Sequence, residues 1–531
     1  MMISTKPRRG MRTTLAAMAL LLAATGCASK AERAAEAMNE GVQLAAAGQY
    51  GAAAAKFNLA VSLRDDLPAL WLARARNLVQ LKDYSGAFAS YRNALDQDRT
   101  NREALDAVSQ LALATGDLDL AKDYAGQILA LDPNDVNAQL VSGTVSLRRG
   151  RLDEAMTTVE KTLTQEPANE AARVLKSRIL QRRGDAAAAL ALIEPIFTAG
   201  GGSVDLRRQL VSLYEHDGFG AGLARVAARN AADRPRDVAA QIEWARQLIL
   251  AGRAAQAATV LGAAHRADPS DATRAQTVAM LLDADVSGAD TAHLFAAADA
   301  EPSLAVALAQ HALSVRDPAT AVARLAPMAA ARPLDATTTD LHAAYALALA
   351  QVGRGAEAAR RAAAVLAIDP AEPIALAARA ITAIDARNLD GAMRDARIVA
   401  RDNPGSANAV ALLAQIYRLR GDQAAAQATI NGAFNDNEED SAFLALYVGQ
   451  AIANGKAADA ESEVRAFTIR HPASVLGWRL RAQICSAIKD GACVSRARAM
   501  IGRLHGQVIA LPATPPEEMT AERDAQTVAP Q

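Results

Sequence analysis

The chain has 531 residues, with 57 Lys and Arg against 58 Asp and Glu for a formal net charge of -1, and 51% of it is hydrophobic while only 4% is aromatic. Near-neutral charge removes the basic field that tracks nucleic-acid phosphates, and three cysteines are too few for a disulfide scaffold or a multi-cysteine zinc module. Apolar content carried by alanine rather than by β-branched and aromatic side chains disfavours an all-β fold.

At the N-terminus Lys6, Arg8, Arg9 and Arg12 precede an apolar run from Leu15 to Ala24. The run is too short to span a bilayer as a stable helix, and the layout is that of an export signal. Its end, Ala24-Thr25-Gly26-Cys27, resembles the bacterial lipobox, although leucine is usual where Ala24 stands, and an ordinary signal peptide cut nearby is the alternative. The resemblance implies a lipoprotein signal peptide over 1–26, lipid on Cys27, and a lipid-anchored linker over 27–33. With no Asp beside the cysteine, it also implies an outer-membrane location facing the periplasm. Four of the 57 basic residues and none of the 58 acidic ones lie in 1–26, so the remainder carries -5. No later segment offers an unbroken apolar run of the ~18 residues a membrane span needs, so attachment would rest on the lipid.

Beyond the leader a period of 34 residues runs through the chain. Glycines at 48, 116, 150, 184, 218 and 252, then at 353, 421 and 455, follow it. So do prolines at 133, 167, 235 and 269, then 370, 404 and 472, and alanines at 53, 87, 121, 155, 189 and 257, then 358, 392, 426 and 460. Each series jumps by 101 across the middle, three periods less one residue, which predicts two degenerate repeats there with a net deletion of one. Within the unit 136–169, Leu140, Gly143 and Leu147 form one helical stripe that stops at Gly150. Leu152, Ala155, Val159 and Leu163 form a second that stops before Pro167. Gly143 and Ala155 are expected where the two helices approach most closely.

These marks, with small residues at Gly41, Ala75, Gly143 and Ala245, aromatics at Tyr50, Phe57, Tyr84 and Tyr91, and Trp71 and Trp478 at the fourth position of their units, resemble the tetratricopeptide repeat (TPR) family over 34–504. The resemblance implies an all-α, right-handed superhelical α-solenoid of about fourteen repeats: an N-terminal array over 34–271, degenerate repeats over 272–338 and a C-terminal array over 339–504. Two units depart from the pattern, with Leu223 where alanine is expected and Glu438 where proline is expected. Prolines at 512, 515, 516 and 530 with Glu517, Glu518, Glu522 and Asp524 predict a disordered tail over 505–531.

Catalytic patterns are sparse. Gly218-Phe219-Gly220-Ala221-Gly222 imitates a phosphate loop, but no strand precedes it and no Lys-Ser or Lys-Thr follows. Gly200-Gly201-Gly202 reads as a linker between repeats. The seven histidines include no close ligand pair. Most read as solvated helix-face residues or residues near turns, His311 and His342 being able to meet across adjacent repeats without a third ligand. No metal site, cofactor or enzymatic activity is expected; the alternative would be a site in the degenerate centre around Asp283, Asp285, Asp290 and His293. Cys485 and Cys493 flank the last hairpin turn and are either disulfide partners or two buried thiols.

By resemblance to the family, first helices line a concave face that docks partners. That geometry puts Arg76, Arg148, Arg178, Arg182, Arg246 and Arg418 on the groove side, a ridge suited to carboxylates because guanidinium can donate two parallel hydrogen bonds. The carboxylate clamp of chaperone-binding relatives is missing, since Met38, Val42 and Ala73 stand at its positions. The anchor-plus-repeat layout is similar to that of Tad/Flp pilus assembly lipoproteins. It implies a non-enzymatic scaffold for a pilus or secretion apparatus, with secretin or pilus proteins as partners and no nucleic acid. A scaffold for exopolysaccharide synthesis or export is the alternative.

Overall fold

The computed structural model describes residues 29–286, 291, 292, 294, 295 and 301–505. The leader, Cys27, Asp290, His293 and the tail beyond His505 lie outside the described residues. The described residues form helices and no strand, 27 of them with defined bounds, and consecutive helices pair as hairpins. The first helix, Lys30–Ala46, starts inside the expected linker because Ser29 and Glu32 cap it reciprocally, satisfying two otherwise orphaned amides.

Three ladders explain why each repeat folds as it does. Asn101, Asp135, Asn169, Asp237, Ser406, Asp440 and Ser474 accept backbone N–H groups at the starts of first helices. Asp83, Asp117, Asp185, Asn388, Asp422 and Asp490 do the same for second helices. Each such cap contributes about 1 kcal/mol. Between the two helices one residue takes the left-handed conformation, as at Gly48, Gly150 and Gly421, and where glycine is absent Lys82, Asp285, Arg316, Arg387 and Lys489 are forced into it at φ 57° to 64°. The missing residue of the centre is spread over these turns: Gly252, Asp285, Arg316 and Gly353 follow one another at intervals of 33, 31 and 37.

The alanine series lies in the core, every member at most 2% exposed. A Cβ on Gly41 would come within 2.7 Å of the Phe57 ring of its own hairpin. Gly143 departs from its expected role, because its nearest neighbour is Leu175 of the following first helix, 3.0 Å from a built Cβ, with Thr158 of its own hairpin at 3.6 Å. Where Leu223 replaces alanine, the small position moves to Gly222, against the rings of Phe219 and Tyr214. The helix Gln423–Asp436 ends on schedule despite Glu438, with the Asn437 side chain donating to the Ala433 carbonyl at 2.9 Å.

At the fourth position of some repeats a side-chain donor ties the helix to the preceding turn. Trp71 and Trp478 donate their indole N–H to the carbonyls of Asp65 and Pro472, each at 2.8 Å and six residues back. Gln139 and Arg173 make the same reach to Pro133 and Pro167, so a long side-chain donor can fill this slot, whereas Leu105, Leu376 and Leu444 fill it in other repeats as buried apolar side chains.

The chain divides into two compact units, up to Gln209 and from Leu210. In the first, hairpins stack in chain order, with Leu105, Val108, Ala121 and Ile128 among its fully buried residues. The second closes on itself. Its last helix, Gly491–Leu504, packs on Gly220–Asp233, and the helices Ser441–Ala453 and Val475–Ala487 pack on Asp271–Asp283.

Candidate functional site

In the first unit, Arg76, Arg148, Arg178 and Arg182 all lie on first helices. Arg76 is engaged by Glu103, its Nε donating to Oε1 at 2.6 Å, and Arg148 donates to the Leu113 carbonyl at 2.6 Å. Arg182 is exposed. Arg178 is half-buried between charges of both signs. Burial pushes its pKa down, Asp205 at 3.9 Å pulls it back, and Arg208 and Arg148 push it down again. Arg148, Arg178 and Arg208 therefore form a patch of like charge that one carboxylate does not balance.

The second unit's closure frames an open cavity of about 2160 Å³ lined mainly by first helices and the turns before them. Arg246 lines it but is not an open groove residue, which corrects the sequence expectation. It is only 7% exposed, donates to the Ala473 carbonyl and to Asp283 Oδ2 at 3.2 Å, and stands 3.6 Å from Glu243. Burial opposes its charge, but Glu243, Asp283 and Glu215 together outweigh burial and raise its pKa. The Ser474 hydroxyl donates to Asp283 Oδ1 while accepting from the Gly477 amide at 3.0 Å, so one side chain both caps a helix and closes the unit. Arg479 pairs with Asp285 at 2.7 Å. Asp283 and Asp285, candidates for an alternative catalytic centre, are thus spent on closure. Arg418 lines the cavity and is exposed.

The carboxylates around this closure are strained electrostatically. Glu215 is raised by burial and then by Glu243, with Arg246 and His471 opposing. Asp440 is raised by burial and by Asp283. Glu372, 8% exposed, is pushed up to about 7, chiefly by burial, with the amide bond from Ala375 opposing and Asp369 and Asp340 adding to the rise.

The glycine run that imitates a phosphate loop is a docking notch. A Cβ on Gly220 would lie 2.5 Å from the Leu504 carbonyl oxygen, so only bare backbone there admits the last helix, while Gly218 faces the flexible end of Met500. The histidine expectation also needs correction. His265, His311 and His342 are buried, at 0%, 0% and 3% exposure, and they do not meet. His265 bridges Ser303 and Thr277 at 3.0 Å each and falls to about 4, chiefly through burial. His311 binds the Val286 carbonyl at 2.9 Å, and His342 binds Arg332 O at 2.9 Å and Arg361 at 2.6 Å. Among the described residues no group of three His, Cys, Asp or Glu is placed to share a metal ion, and no helix is long and apolar enough to cross a membrane. Cys485 and Cys493 are joined as a disulfide in this structure, their Cα atoms 5.7 Å apart.

The closing contacts escaped the sequence because their partners are far apart, Arg246 and Ala473 being 227 residues distant. The capping ladders escaped too, yet they were visible as Asp, Asn or Ser recurring at 34-residue spacing.

A family model described as tetratricopeptide repeat matches residues 112–179. No curated protein matches the chain. Among solved structures, the Naa15/Naa10 complex bound to HypK-THB is 15% identical, with 97% of this chain and 88% of that one covered and a TM-score of 0.34. PilW, titled a widely conserved type IV pilus biogenesis factor, is 19% identical over 38% of this chain and 94% of its own, at 0.32. MamA 41-end from Desulfovibrio magneticus RS-1 is 15% identical over 32% and 96%, at 0.30. The chain is an all-α array of helical hairpins, and its residues 112–179 match the tetratricopeptide repeat.

Proposed function

We propose that the protein is a non-catalytic scaffold that holds polypeptide partners against its first helices. The observation that carries this reading is the cavity of about 2160 Å³, lined by side chains from successive first helices and well above the ~300–1,000 Å³ of a small-molecule site. A surface built from many similar units presents a polymer with repeated contacts, and such contacts add without any single strong site. In the same reading, lipid on Cys27 tethers the chain to the outer membrane, facing the periplasm, where it supports assembly of a pilus or secretion apparatus. The lipobox-like Ala24-Thr25-Gly26-Cys27 supports that placement. In-cell crosslinking of the tagged protein, with Cys27→Ser beside it, tests both parts. Recovery of pilus or secretin proteins, with membrane attachment lost in the variant, is the expected result. Recovery of polysaccharide-export proteins would replace the assigned machine, and membrane attachment unchanged in Cys27→Ser would overturn the anchor.

A further inference from the structure

The cavity of the second unit has a charge that the chain as a whole does not. Overall the basic and acidic residues are nearly equal, 57 to 58, whereas eleven carboxylates and six guanidinium groups line the cavity among the described residues. Internal pairing does not remove the excess. Arg246, Arg274 and Arg470 are held by carboxylates of the lining. Glu215, Asp369, Asp385 and Asp440 line the cavity and make no ion pair among the described residues. Apolar side chains, among them Leu347 and Ile381, are interleaved with these carboxylates and only half-buried.

We propose, resting on the scaffold reading above, that this cavity takes a cationic, amphipathic polypeptide segment of a partner, its Lys or Arg side chains meeting Glu215, Asp369, Asp385 and Asp440 and its apolar side chains covering Leu347 and Ile381. Charge complementarity selects the occupant: the lining carries more carboxylates than guanidinium groups, and an incoming ammonium or guanidinium gains more from several carboxylates facing one concavity than from a single one on an open surface. Burial already makes ionisation costly for Glu215 and Asp440, and an arriving cation offsets that cost. The volume favours a chain over a metabolite.

The test uses the full-length chain and two labelled twelve-residue peptides, alternating Lys-Leu and alternating Glu-Leu, with affinity read by fluorescence anisotropy. The Lys-Leu peptide is expected to bind and the Glu-Leu peptide to bind far more weakly, with affinity falling as salt rises. Combining Glu215→Gln, Asp385→Asn and Asp440→Asn should weaken binding about tenfold, whereas Asp119→Asn, Asp153→Asn and Asp205→Asn together, on the first unit, should change it less than about twofold. Should the cavity triple variant not fold, Asp385→Lys alone, on an exposed side chain, must lower affinity in the same sense. Equal binding of both peptides, equal weakening by the two triple variants, or no binding of the Lys-Leu peptide would overturn the charge assignment. A photo-crosslinking residue at Ile381 that captures polypeptide in cells would then leave the scaffold reading standing, while capture of none would remove that reading as well.

Discussion

Lys82 occupies a turn position at φ 60° that other repeats give to glycine. A left-handed side-chain-bearing residue costs roughly 1–2 kcal/mol, and glycine returns part of that gain as unfolded-state entropy. Lys82→Gly is therefore expected to stabilise the first unit by about 0.5–1 kcal/mol, read as a shift in its denaturant midpoint. Two buried titrating groups set opposing pH slopes in the second unit. His265 titrates at about 4 when folded against 6.5 as its ordinary value, so it binds fewer protons than the unfolded chain in that window and stability falls as pH drops from 6.5 towards 4. Glu372 is raised to about 7 from 4.5, so it holds a proton that the unfolded chain has lost, and stability falls as pH rises from 4.5 to 7. Glu372→Gln preserves the cap oxygen for Ala375 and should raise stability at pH 8 by up to about 3 kcal/mol while changing little at pH 4. Thermal melts of both forms at the two pH values check this.

At the scale of elements, the last hairpin carries more than its own repeat. Gly491–Leu504 is the helix that seats on Gly218 and Gly220, and Val475–Ala487 packs on Asp271–Asp283. Gly220→Ala places a methyl group against the Leu504 carbonyl and should release this contact, seen as faster amide exchange over 491–504 with the first unit unchanged. Closing the short loop between Cys485 and Cys493 restricts the unfolded hairpin by about 2–3 kcal/mol in the chain-entropy model. Reduction, or Cys485→Ser, should accordingly make 475–504 the first segment to exchange. Unchanged protection in both variants would show that closure does not depend on this hairpin.

For the whole molecule, the hairpin array was legible because its determinants are local. A left-handed turn at Gly150, a buried Ala155 and a stop before Pro167 each act within one repeat and recur. Closure of the second unit was not, since no local rule links Arg246 to Ala473 or Gly220 to Leu504. The same gap explains the site. Arg178 stands beside other arginines on a first helix, whereas Arg246, at the same kind of position, is drawn into a long-range clasp. The buried histidines failed for a related reason: a hydroxyl such as Thr277 or Ser303 can satisfy imidazole inside the core, and sequence spacing does not reveal it. Whether first helices hold polypeptide is decided by placing a photo-crosslinking residue at Ile381 in the cavity and, separately, at Leu59, an exposed second-helix position of the first unit. Discrete polypeptide adducts are expected from Ile381 in cells and none of them from Leu59; the same adducts from both positions, or none from Ile381, would contradict the scaffold reading.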